Sequence, residues 1–186
     1  MGLDKIERAA PPISRQFVNY PFLLTQIDSG RPSYVYSDDP KRHMTFRGYI
    51  SPEDRQVSVS AQFRALDFGM EDCELSMVVP ITREGSNFTL ANDESAHTID
   101  IWRLSANTAI DAKRLSYSTR PPRSSKVASA DVMMGTSFNH HFHCPQDSVH
   151  SFELACAPKS PSCHVEWWQN MEGAFSGEPR RFNPRH

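Results

Sequence analysis

The chain has 186 residues, a formal net charge of −2 and 38% hydrophobic residues, with 14 prolines and only 8 glycines. That length suits one large domain, which buries roughly 70% of the surface its unfolded chain exposes. The near-neutral charge excludes a global basic field for nucleic acid, and the sequence has no run of about 18 apolar residues to span a bilayer as a helix.

Residues 1–16 read as a flexible N-terminal segment. Lys5 and Arg8 are not followed by an apolar stretch, so no secretory signal is read there. The default compartment is then the cytoplasm, with a secreted or anchored protein expected only if a further N-terminal segment was removed. The cluster Phe17, Val18, Tyr20, Phe22, Leu23 and Leu24 reads as an extended segment packing onto the domain. Met44, Phe46 and Gly48 share a face at period two, and Pro52-Glu53-Asp54 makes a turn. Residues 56–64 alternate most clearly. Val57, Val59, Ala61 and Phe63 face one way, with Ser58, Ser60, Gln62 and Arg64 opposite, as in a half-buried strand.

Residues 73–81 form the next strand, with Cys73, Leu75, Met77 and Val79 on one face and Pro80 at its end. A polar loop over 83–94 holds one short strand near Phe88. Residues 97–104 set Ile99 and Ile101 against Asp100 and Trp102, and 113–126 read as an irregular connection. Later strands are expected at 127–134, 137–143, 149–156 and 163–169. The tail, 171–186, is rich in Gly, Pro and Arg and is expected to be flexible. Short strands separated by turn signals define an all-β chain. The expected fold is a single antiparallel β-sandwich or jelly-roll domain over 17–170.

Three stretches carry a family resemblance. They are Asn19-Tyr20-Pro21 through Pro52-Glu53-Asp54-Arg55, Gln62 through Leu75, and Phe142-His143-Cys144-Pro145 followed by Ser151–Cys156 and Cys163–Gln169. Together they resemble a group of fungal proteins, chiefly basidiomycete, and through them the But2 C-terminal domain. That domain is named for a yeast protein that binds a subunit of a ubiquitin-like activating enzyme. The resemblance spans about residues 19–170. It implies a β-sandwich and supplies no reaction, because no catalytic residues map across. Such relatives often carry a signal or anchor before the domain, which leaves localisation open. Separately, Ile99–Leu104 with Ser116–Pro122 is similar to a strand-and-loop pattern in jelly-roll domains of extracellular proteins.

Four cysteines are present, Cys73, Cys144, Cys156 and Cys163. Cys156 and Cys163 flank a loop holding Pro158 and Pro161 and can bridge, or can remain two buried thiols. Cys73 and Cys144 are the other candidate pair. In the run His140-His141-Phe142-His143-Cys144, His141 and His143 share one side of a strand, a two-ligand start for a metal such as Zn²⁺. The competing reading is a strand end with exposed histidines and a core cysteine. No C-x₂-C spacing accompanies the run, and no cofactor is implied.

The acidic residues Asp93, Glu94 and Asp100 lack EF-hand spacing, and the basic residues Lys113, Arg114, Arg120, Arg123 and Lys126 lack the aromatic interleaving of an RNA-binding sheet. Trp102, Trp167 and Trp168 are the candidate ligand-binding aromatics, because exposed Trp residues mark sugar platforms and partner interfaces. Adjacent Trp167 and Trp168 must point to opposite faces of a strand. Neither a G-x-S-x-G elbow nor an H-E-x-x-H helix is present. The expected function is a non-catalytic binding module for a protein or a glycan. The alternative is a hydrolase or lyase in which His141, His143 or His164 converges with Glu153 or Glu166.

Overall fold

The computed structural model describes residues 18–36, 46–50, 57–66, 69–79, 81, 89–90, 96–158, 160 and 163–169, without the side chains of 46–50, 89–90 and 167–169. The expected end segments 1–16 and 171–186 lie outside these residues, as does most of the polar loop over 83–94.

Ten strands form among the described residues: β1 Leu23–Asp28, β2 Phe46–Ile50, β3 Val57–Arg64, β4 Asp72–Val78, β5 Thr89–Leu90, β6 His97–Leu104, β7 Arg123–Val132, β8 Ser137–His143, β9 Val149–Cys156 and β10 Val165–Gln169. Every pairing is antiparallel. One sheet has the order β1-β3-β9-β6-β7, a second β2-β10-β5, and β4 pairs with β8. No described helix is long and apolar enough to cross a membrane. The fold is an all-β sandwich.

The core sits where the expected alternation puts it. Val59 faces Leu154 across β3 and β9, and Ile101 faces Leu154 across β6 and β9, so these apolar residues share the inner face of the five-stranded sheet. Val59, Ile99, Ala130 and Val132 pack there against Met77, Val79, Cys163 and Val165 from the opposing layer. Phe152 is fully buried beside Phe63 and Phe142. The β7–β8 turn runs through Gly135, whose φ of 76° suits a residue without a Cβ. The Thr136 hydroxyl closes the turn by accepting from the Met133 amide at 2.9 Å.

Two disulfides add covalent ties. Cys73 joins Cys144 across the ends of β4 and β8, and Cys156 joins Cys163 between β9 and β10.

The structure corrects two local expectations. The irregular connection ends earlier than 126, because β7 begins at Arg123. Its first residues pair with Arg103 and Leu104 through bulges, which blur the period-two signal. More consequentially, the polar face of β3 is not solvated. Ser58, Ser60 and Gln62 are buried, because residues 105–122 fold back over the outer face of the sheet.

Candidate functional site

The covering segment is held by a row of polar side chains on β3 and β9. The Gln62 side-chain amide donates to the Thr108 carbonyl at 3.0 Å and to the Ser151 hydroxyl at 2.8 Å, while its oxygen accepts from the Ile110 amide at 2.9 Å. Ser151 in turn donates to the Ala106 carbonyl at 3.0 Å. Further along, Leu115 packs on Leu23 and Ile27, which point outward from β1. Thr119 accepts from the Ser116 amide at 2.9 Å and donates to the Arg114 carbonyl at 2.6 Å, fixing the last turn of the segment. The Ser60 hydroxyl in this row has no hydrogen-bond partner among the described residues, but the bonds of Gln62 and Ser151 stabilise one arrangement of the segment, because any other arrangement leaves these buried groups unpaired.

The same row ends in a charged centre. Glu153 shares the outer face with Ser58 and Trp102, and its side chain is only 1% exposed. Ser58 donates to it at 2.6 Å. Arg123 grips it with two nitrogens, at 2.8 and 3.2 Å, and Arg120 donates a further short hydrogen bond. Burial alone would raise the carboxyl's pKa. The hydrogen bonds from Arg123 and Ser58, with the charges of Arg123 and Arg120, overcome that and hold it below its ordinary value. Beside this centre, Asp100 accepts from Ser129 at 2.7 Å and pairs with Lys126 at 2.6 Å.

Aromatic rings flank the charges. Arg123 lies 5.0 Å and Lys126 5.8 Å from the Trp102 ring, and Arg120 lies 4.3 Å from the Tyr117 ring. Glu153, the two arginines, Trp102 and Tyr117 line a surface pocket of about 250 Å³ whose rim includes Ser29 and Pro158.

The expected site residues are dispersed. Trp102 lines this pocket. Trp167 and Trp168 lie on β10 opposite Gly48 and Arg47 of β2, and their side chains fall outside the described residues. His141 and His143 lie exposed on β8, where His141 pairs with Glu74 of β4 at 2.8 Å. No group of three His, Cys, Asp or Glu side chains placed to hold a metal ion occurs among the described residues. His164 lies 3.9 Å from Glu166, whereas Glu153 is engaged by Ser58, Arg120 and Arg123. The histidine–carboxylate cluster that a hydrolase would need is therefore not assembled around Glu153 by the described contacts.

A second opening lies at the sandwich edge. Leu24, Phe63, Leu75 and Phe138 line an apolar slot of about 80 Å³ between the layers. It carries no charged group to orient a substrate.

The family described as the ubiquitin 3 binding protein But2 C-terminal domain matches residues 19–173. The chain belongs to that family. The But2 match takes in all ten described strands, the segment 105–122 and the Glu153 centre. No curated protein matches the chain.

In the sequence Trp102 stands out but its setting does not: Arg120 and Arg123 read as scattered loop charges and Glu153 only as a partner for histidine. One signal was available. The row Ser58, Ser60, Gln62 carries only small or neutral polar side chains, whereas a solvated strand face ordinarily shows Lys or Glu.

Proposed function

We propose that the chain is a non-catalytic protein-binding module whose partner belongs to the ubiquitin system. The But2 match over 19–173 carries this reading, since the family is named for ubiquitin 3 binding. The chemistry of the described site agrees with it. A general acid needs a carboxyl whose pKa is raised toward the working pH. Glu153 is shifted the other way and its oxygens are filled by arginine and serine donors. Tyr, Trp and Arg are the residue types that dominate protein–protein hot spots, and all three meet at this pocket. A glycan is the less favoured ligand, because cations already lie over the Trp102 and Tyr117 rings on which a sugar would stack.

The disulfides constrain where a partner is met. Disulfides persist in oxidising compartments and are reduced in the cytosol. The test is therefore run on oxidised and on reduced protein. The immobilised chain is titrated with ubiquitin and, separately, with the binding subunit of a ubiquitin-like activating enzyme. Saturable one-to-one binding of either is the expected outcome. Absence of saturable binding by both, in both redox states, overturns the reading.

A further inference from the structure

We propose that the pocket formed by Arg120 and Arg123 is a subsite for a carboxylate presented by an acidic side chain of the protein partner. This deepens the protein-binding reading and rests on it. Arg120 and Arg123 line the pocket together with Glu153 and Asp100, and Lys126, outside the lining, pairs with Asp100, so the cluster at and beside the pocket keeps one excess positive charge. Each guanidinium has five N–H donors in a fixed fork. Among the described residues, Arg123 spends its Nε and Nη2 on Glu153, and Arg120 spends its Nη1 there. The Nη1 of Arg123 and the Nε and Nη2 of Arg120 retain donors for an incoming anion. Planar donor pairs of this kind match a carboxylate.

The arginines are also held in advance. Their side chains are 16% and 33% exposed, within reach of solvent yet fixed by a buried anion. A partner that docks there need not immobilise two free arginines, which removes part of the ordering cost of binding. The surface continues beyond the pocket. The Ser118 amide bonds the Pro32 carbonyl at 2.9 Å, which ties the segment carrying Arg31 and the exposed Tyr34, stacked on one another, to the loop that carries Tyr117. An acidic peptide segment therefore meets a run of Arg and Tyr side chains rather than a single isolated cation.

The test is an NMR titration of the whole chain with hexaglutamate, with hexaglutamine as the uncharged match, and with inorganic phosphate and glucuronate as other anions. Hexaglutamate is expected to shift the Trp102 indole N–H and the Nε–H signals of Arg120 and Arg123, while hexaglutamine leaves them in place. Affinity falls as salt rises, since screening shortens from about 30 Å at 0.01 M to about 8 Å at 0.15 M. Tyr117→Ala, at a 38% exposed position, weakens hexaglutamate binding roughly ten-fold with the melting temperature unchanged. Equal shifts with hexaglutamine, shifts confined to other residues, or a response to phosphate or glucuronate without one to hexaglutamate would overturn the subsite. The peptide assay does not depend on the partner's identity. If hexaglutamate acts at the pocket while the ubiquitin-system proteins fail to bind, the subsite stands and the partner class falls. If those proteins bind and hexaglutamate does not, the reverse holds.

Discussion

On the inner face of the five-stranded sheet, Val59, Ile99, Leu154 and Phe152 meet apolar side chains, and burial there follows area and fit. On the outer face of the same strands, Ser58, Gln62, Ser151 and Glu153 are just as deeply buried, under the segment 105–122. The inner face would tolerate many apolar sequences of similar volume. The outer face tolerates few, because each buried donor and acceptor needs its own partner. Apolar packing makes the scaffold, whereas the hydrogen-bonded face fixes one loop in one place. That loop delivers Tyr117 and Arg120, and β7, which directly follows it, delivers Arg123, to the pocket.

The comparison can be broken from either side, starting with the largest effects. Phe152→Ala empties a fully buried inner position and is expected to cost about 4 kcal/mol in chemical denaturation. Removing Cys73–Cys144, with a separation of 71 residues, costs about 4 kcal/mol by chain entropy, whereas Cys156–Cys163, at 7 residues, costs about 2 kcal/mol. On the outer face, Glu153→Ala is expected to cost about 3 kcal/mol, toward the lower end for a broken buried pair, because both arginines can rehydrate. Replacing Glu153, Arg120 and Arg123 together with leucines is expected to restore most of that stability while abolishing hexaglutamate binding. Such a result separates the charged centre's recognition role from its contribution to folding. Gln62→Ala removes three hydrogen bonds and costs about 2 kcal/mol. It is also expected to speed amide exchange at Ile110, whose N–H it leaves without an acceptor.

The smallest effects are in the acid response, and they too divide by face. His150, directly opposite Phe63 in the β3–β9 register, has its pKa lowered from the ordinary 6.5 by burial, then by Arg103 and His143. The unfolded chain then binds the proton more readily, so stability is full above about 6.5 and falls as pH drops below it. Glu153 has its pKa lowered from the ordinary 4.5, so its contribution is full above about 4.5 and is lost as pH falls through its folded value. Acid titration of stability should therefore show two legs. His150→Phe is expected to remove the upper one, and Glu153→Gln the lower.

The scaffold was largely legible in the sequence. The sequence pattern gives 137–143, 149–156 and 97–104 with the bounds the structure shows, because alternation reports a sheet with one apolar face directly. The outer face was not. Ser58 and its partner Glu153 lie 95 residues apart, and nothing local to either marks the other. Period two says which side chains share a face, but not what covers that face. A polar row reads as solvated until a distant segment is seen to lie across it. The site suffered the same limit. Trp102 was visible as an aromatic on a strand, but the cations over its ring come from β7, and bulges shift the register there.

Glu153 tests the account most directly, because a recognition centre and an acid–base catalyst require opposite shifts of its carboxyl. The side-chain carboxyl of Glu153 can be followed by ¹³C NMR from pH 7 downward. The account predicts that it stays ionised below 4.5 and titrates only in stronger acid, held by Arg120, Arg123 and Ser58. Titration above 4.5 would contradict it and reopen the acid–base reading of the site.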